Sequence, residues 1–333
     1  MRTVSVLGAG SWGTALAVHL GRLGHDVRLW ARDPALVEEM AAYRSNTTYL
    51  PDIPLPDSVS VVHALPTALR AAEIVVSAIP SHVCRGVIHA AAPLIPANAV
   101  MVSAAKGIET GSLRRMSEVI VEETGSTNPV VVLSGPSFAL EVARELPTAI
   151  LAASHSSDAI ELVQEEFRAP YFRLYGSDDV IGVEIGAAMK NIIAIAAGVV
   201  EGLGLGHNAL AALITRGLAE LTRLACAAGG RRETLAGLSG LGDLVLTCTG
   251  KLSRNRHVGI ELARGRALPN ILAGMKMVAE GVLTTDAALA LGERYDVELP
   301  IATQMSEVLA GRADVRTALE TLMLRKQRAE AEL

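Results

Sequence analysis

The chain has 333 residues, half of them apolar, only 3% aromatic and 20% charged, with a formal net charge of −5. That length allows two domains with sizeable cores, and an apolar half built mainly from Ala, Val, Leu and Ile suits buried parallel strands under closely packed helices. The mild acidity excludes the basic face that nucleic-acid binding needs, and leaves room for a locally positive pocket around an anionic substrate.

The first predicted element is a strand, Thr3–Leu7, which runs into Gly8-Ala9-Gly10-Ser11-Trp12-Gly13 and then a helix from Thr14 to Gly24. Gly8 permits the tight turn, Gly10 lets a pyrophosphate touch the backbone, and Gly13 lets the helix close on the sheet. The helix start offers unpaired N–H groups and a positive dipole end to phosphates. A dinucleotide-binding first unit follows from that placement. Further strands are predicted at Asp26–Trp30, Val59–Val62, Ile74–Ala78, Ala99–Ser103 and Val130–Ser134, with helical patterns between most of them, as βαβ units require. Asp33-Pro34 reads as a helix cap followed by proline at the first helical position, and Tyr49–Pro56 as an exposed proline-rich loop. Thr148–Ala152 and Phe172–Tyr175 are expected to extend the sheet around a helix near Ser156–Phe167.

From Asp178 onward the pattern is helical: Asp178–Glu201, Asn208–Ala228, Thr284–Tyr295 and Ala302–Ala310. This predicts an α/β chain with a doubly wound Rossmann-type domain over 1–180 and an all-helical substrate-binding domain over 181–333. Leu244-Val245-Leu246 stays open between strand and helix, and the charged tail Arg325–Leu333 reads as a fraying terminal helix. Val180–Val200 is the most apolar stretch but carries Glu184, Lys190 and Asn191, which predicts a buried helix with a polar face and no membrane insertion. Cys84, Cys226 and Cys248 are widely spaced and form no CxxC, so they are expected as buried thiols in a reducing cytoplasm, with neither a disulfide framework nor a metal site. The opening residues are read as a strand and not as a signal peptide.

Ligands of a doubly wound sheet bind beyond the carboxyl ends of its strands. Those ends lead to Ser11 and Trp12, to Arg32 and Asp33, to Ile79-Pro80-Ser81-His82, to Ala105-Lys106-Gly107 and to Gly135-Pro136-Ser137-Phe138-Ala139. An acid such as Asp33 either bonds a ribose 2′-OH, favouring NAD, or serves only as the cap before Pro34. Arg32 suits a 2′-phosphate and favours NADP. Lys106 is either a snorkelling surface residue or a cation aimed into the cleft. Gly135-Pro136-Ser137 is either a turn presenting backbone donors or an ordinary loop. Lys190-Asn191 sits mid-helix among apolar residues, where an ammonium would be tuned for proton exchange. Periodicity alone places Lys190 on the helix's wet stripe. Leu238–Asp243 is a glycine-rich turn whose carboxylate suits a hydroxyl or an ammonium. Ser253 caps the next helix, and with Arg254 and Asn255 in its first turn the same geometry suits a phosphate.

Together these motifs resemble NAD(P)-dependent glycerol-3-phosphate dehydrogenases of the soluble bacterial type. The matching pieces are Gly8 to Ala15, Lys106-Gly107, Gly135 to Ala139, Lys190-Asn191, Gly240 to Leu244 and Ser253-Arg254-Asn255. The resemblance implies interconversion of sn-glycerol 3-phosphate and dihydroxyacetone phosphate, supplying glycerol phosphate for phospholipid synthesis, in a cytoplasmic homodimer. It implies Lys190 as the proton acceptor in oxidation. Lys106, Gly135, Ser137, Lys190, Asp243, Ser253, Arg254 and Asn255 would line the substrate site. Gly8, Gly10, Ser11, Trp12, Gly13, Arg32, Lys106, Ala139, Arg254, Val278 and Glu280 would meet the coenzyme, NADP or NAD with NADPH favoured. Some relatives carry a second basic residue after Arg32, where this chain has Asp33. Another small ketone as substrate, and a non-catalytic NAD(P) sensor, are the competing readings.

Overall fold

Strands buried on both faces build the first half. In β1 (Thr3–Leu7), Val4 and Val6 face one apolar layer while Leu7 faces the other, and Ile74 and Val76 are likewise separated from Val75. A strand buried on both faces needs such a two-sided apolar sequence. The computed structural model describes residues 1–125, 128–275 and 277–327. The remaining strands are β2 (Asp26–Trp30), β3 (Ser45–Asn46), β4 (Leu50–Pro54), β5 (Val59–Val62), β6 (Ile74–Ser77), β7 (Val100–Ser103), β8 (Val130–Ser134), β9 (Thr148–Ala153) and β10 (Phe172–Ser177).

Eight of them form one sheet in the order β10-β9-β8-β7-β6-β1-β2-β5. From β5 across to β8 every pair is parallel, giving the doubly wound 3-2-1-4-5-6 arrangement with its topological switch between β1 and β6. The β8–β9 pair is antiparallel because only the short helix Ala139–Ala143 separates the two strands, so the chain folds back instead of crossing over. β9 and β10 are parallel to each other and extend the sheet, as expected.

Tyr49–Pro56 departs from expectation. Its Leu50–Pro54 pairs antiparallel with Ser45–Asn46, and Leu50, Ile53 and Leu55 are buried in the sheet's core. A two-stranded edge ribbon tolerates prolines, since few of its N–H groups are needed. On the same face His19 is buried and neutral, its pKa lowered by burial to about 4. Its Nε2 donates to the Phe167 carbonyl (2.8 Å), and its Nδ1 accepts from the Tyr171 hydroxyl (2.9 Å).

The chain divides into two compact units. One comprises Met1–Lys106 with Arg114–Val180, and the other Gly107–Leu113 with Ile181–Leu333. The short Gly107–Leu113 stretch joins the second unit, where Ile108 is part of its apolar core. That unit is helical among the described residues. Its central helix, Val180–Gly202, is long and apolar enough to cross a membrane, yet 94% of its most apolar stretch is buried within the protein. Leu244-Val245-Leu246 lies in the helix Asp243–Thr249. Among the described residues the last helix is Val315–Met323, so Arg325–Gln327 lie beyond it and 328–333 fall outside the described residues. Cys84 and Cys248 are buried, but Cys226 is exposed, contrary to the expectation of three buried thiols.

Candidate active site

The turn after β1 is shaped by three glycines with different duties. Gly8 adopts φ +112°, and a Cβ there would lie 2.7 Å from the Ala78 carbonyl oxygen. At Gly13 a Cβ would sit 1.8 Å from the Gly8 carbonyl oxygen, so only glycine allows the helix Ser11–Arg22 to begin so close to the strand. Gly10 differs. Nothing lies within 4 Å of where its side chain would be, and it stands at the N-cap with no side chain capping the helix. An uncapped helix start with open space before it is what a bound pyrophosphate requires. The indole Nε1 of Trp12 is buried with no partner among the described residues, a further donor left for a ligand. These features fit a dinucleotide.

A residue not anticipated from sequence secures this turn. Buried Asn46 donates to the Ala9 carbonyl (2.9 Å) and the Thr14 hydroxyl (2.8 Å), while its own carbonyl accepts from Tyr49 N–H (3.0 Å). The Ser11 hydroxyl donates to the Tyr49 carbonyl at 2.7 Å. Only the pairing of β3 with β4 brings Asn46 there, so no local signal marks it. Beyond β2, Arg32 is exposed, and Asp33 accepts from Ala35 N–H (3.0 Å) as the cap of helix Pro34–Tyr43.

Three other expected residues come together at the ends of β7 and β8. Lys106 Nζ donates to the Gly135 carbonyl at 3.0 Å, and the Ser137 hydroxyl donates to the same oxygen at 2.9 Å. Gly135 has φ +137°, and a Cβ there would meet Ile150 Cα at 2.9 Å. Ala139 opens the following helix.

In the helical unit, Lys190 is not on a wet stripe. It is 5% exposed, and its ammonium donates to Asp243 Oδ1 at 2.6 Å and to the Thr247 hydroxyl at 2.7 Å. The Thr247 hydroxyl in turn donates to the Asp243 carbonyl at 2.6 Å. A buried ammonium is tolerable only when paired and hydrogen-bonded, and here it is both. The glycine-rich stretch Leu238–Gly242 winds as a π-helical turn that leads directly into helix Asp243–Thr249. Such wide turns occur where a helix end must re-aim a side chain. Thr247 was not anticipated, although its spacing of four from Asp243 puts both on one helix face. Burial pushes the neighbouring Cys248 thiol up to about 12, so it stays neutral.

The same central helix meets helix Arg254–Ala263 at very short range. A Cβ on Gly198 would sit 1.9 Å from the Arg256 carbonyl oxygen, and one on Gly259 equally close to that of Ile195. This crossing allows Asn255 Nδ2 to donate to Asn191 Oδ1 (3.0 Å), while Asn255 Oδ1 accepts from Gly281 N–H (2.9 Å). Ser253 caps the helix by accepting from Arg256 N–H at 3.2 Å. Arg254 donates to the Val278 carbonyl at 3.2 Å; desolvation of its guanidinium lowers its pKa, and the carboxylate of Glu280, at the start of helix Glu280–Arg294, partly offsets this. A guanidinium in the first turn of a helix suits a phosphate through its charge and its fork of donors.

Comparison with known proteins places this geometry in a family. Residues 3–160 match the NAD-dependent glycerol-3-phosphate dehydrogenase N-terminus model, and residues 179–320 match its C-terminus model. The chain is 52% identical to the glycerol-3-phosphate dehydrogenase [NAD(P)+] of Koribacter versatilis over 99% of both chains. Identity to the same-named protein of Citrifermentans bemidjiense is 49% over 98% of each. The crystal structure of glycerol-3-phosphate dehydrogenase from Coxiella burnetii superposes with a TM-score of 0.94 at 42% identity, covering 97% of this chain and 99% of the other. The chain belongs to the NAD-dependent glycerol-3-phosphate dehydrogenase family.

Proposed function

We propose that this chain interconverts sn-glycerol 3-phosphate and dihydroxyacetone phosphate with NAD(P)(H), with Lys190 as its proton-transfer group. The observation that carries the assignment of Lys190 is the buried ammonium held at 2.6 Å by Asp243 and at 2.7 Å by Thr247. When bound, the nicotinamide supplies the hydride in reduction and takes it back in oxidation. A ketone receiving hydride becomes an alkoxide, which needs a proton and a fixed positive charge at the oxygen. Lys190 provides both in reduction, and as an amine accepts the proton in oxidation. Asp243 and Thr247 fix the ammonium's direction and keep its charge supported in a site poor in water. Lys106 adds a second positive charge to the substrate site, with Gly135 and Ser137 beside it.

Ser253, Arg254 and Asn255 grip the substrate's phosphate through helix dipole, guanidinium and amide. Gly8, Gly10, Ser11, Trp12, Gly13, Arg32, Lys106, Ala139, Arg254, Val278 and Glu280 hold the coenzyme, and Arg32 favours NADPH. A cytoplasmic homodimer supplying glycerol phosphate for phospholipid synthesis completes the reading. Initial rates with dihydroxyacetone phosphate and each reduced coenzyme test it. Turnover with NADPH or NADH is the expected result. A protein that binds NADPH but oxidises none with this ketone would instead be a sensor, and turnover confined to other ketones would displace the phosphate-gripping role of Arg254.

A further inference from the structure

The end of β2 carries two opposite charges in succession, Arg32 followed directly by Asp33. In doubly wound folds the residues just past this strand meet the adenine ribose. An acid there selects NAD by bonding the 2′-OH, and an arginine admits a 2′-phosphate. The structure gives Asp33 another task. Its backbone is extended (φ −88°, ψ 115°), Pro34 occupies the first helical position, and Oδ1 accepts the Ala35 N–H at 3.0 Å. The carboxylate is therefore turned onto its own helix start. Arg32 is exposed and makes no hydrogen bond or ion pair among the described residues, so its guanidinium is not consumed by Asp33. The third titratable group at this end is His63, just past β5. Its carbonyl accepts from Trp30 Nε1 at 2.6 Å, and its ring Nδ1 lies 3.4 Å from the Ala31 carbonyl oxygen.

We propose that coenzyme choice in this chain is a balance of two fixed charges: Arg32 recruits the 2′-phosphate of NADPH, and Asp33, anchored as a helix cap, weakens that recruitment. The proposal rests on the coenzyme-binding reading above and adds to it a residue that acts by repulsion. Asp33 then holds the NADPH preference down without bonding NADH. Both coenzymes remain usable because the acid opposes one of them and assists neither. Such negative determinants set specificity as effectively as attractive ones.

The test uses Asp33→Asn in the full chain, because asparagine caps helices as well as aspartate and removes only the charge. Calorimetric binding of NADPH and NADH, without substrate, is measured at low and high salt beside the melting temperature. The expected result is NADPH binding tighter by about three- to tenfold at low salt, with NADH binding and melting temperature unchanged. The gain should shrink at high salt, since the effect is Coulombic between exposed charges. Arg32→Gln should weaken NADPH by about tenfold and leave NADH alone. Weakened NADH binding in Asp33→Asn would mean that the carboxylate bonds the ribose hydroxyl, and would overturn the proposal. Unchanged NADPH binding at low salt would overturn it equally. A wild-type chain that bound neither coenzyme would remove the underlying reading as well.

Discussion

The close crossing of Val180–Gly202 with Arg254–Ala263 ties packing to catalysis, and Gly259→Ala isolates that link. The added methyl would sit 1.9 Å from the Ile195 carbonyl oxygen, where ordinary contact begins near 3.4 Å. Both atoms belong to helices, so neither can rotate aside, and the helices must part by the difference of about 1.5 Å. Overpacking of this kind costs about 1–3 kcal/mol. The displacement is larger than the margin of the 3.0 Å bond from Asn255 to Asn191, which should break. Ser253, Arg254 and Asn255 move with their helix relative to Lys190. A misplacement of about 1 Å in a substrate-positioning group can cost on the order of 100-fold. The prediction is a fall of about 100-fold in kcat/KM for dihydroxyacetone phosphate, with a lower melting temperature. Steady-state kinetics and thermal unfolding measure the two. Wild-type kcat/KM in a folded Gly259→Ala enzyme would refute the claim that this crossing positions the phosphate grip.

Further outcomes follow from the same geometry. Arg254→Ala should mainly raise KM for dihydroxyacetone phosphate, because it holds a non-reacting phosphate; an unchanged KM refutes that role. Gly10→Ala should fold normally, since nothing lies within 4 Å of its added methyl, but should weaken NADPH binding by at least about tenfold, as read by fluorescence titration. Burial raises the Glu220 carboxyl to about 7, although it accepts Ile301 N–H at 2.7 Å at the start of helix Pro300–Leu309. Between its unfolded value near 4.5 and about 7 the folded state holds the extra proton, so this group's contribution to stability improves as pH falls through that window. Glu220→Gln should therefore gain up to about 3 kcal/mol relative to wild type at pH 8, and lose that advantage towards pH 5 in denaturant melts.

Much of the first unit was legible because its signals are local. Short β-branched runs mark β1 and β6, and the glycine spacing around Gly8, Gly10 and Gly13 encodes its own turn. The strand Leu50–Pro54 was not legible, since its prolines argue against pairing and only burial of Leu50 and Ile53 in the tertiary core favours it. Lys190 shows the same limit at the site. Periodicity places Lys190 on a wet stripe, because in a helix this apolar the few polar positions read as its exposed face whether or not they are paired inside. The partner that decides the matter, Asp243, lies 53 residues away in sequence. Asn46 and Thr247 act through contacts of that kind, whereas the capping roles of Asp33 and Ser253 are readable from their immediate neighbours.

Lys190 as the proton donor is the group on which the proposed chemistry turns. The decisive measurement is the single-turnover rate of dihydroxyacetone phosphate reduction by Lys190→Met, alongside its NADPH affinity. Because that change leaves Asp243 buried without its ammonium, Lys190→Met/Asp243→Asn serves as the folded control. Both variants should bind NADPH normally and turn over at least about 100- to 1,000-fold more slowly than wild type. Near-wild-type turnover in either variant would contradict the assignment.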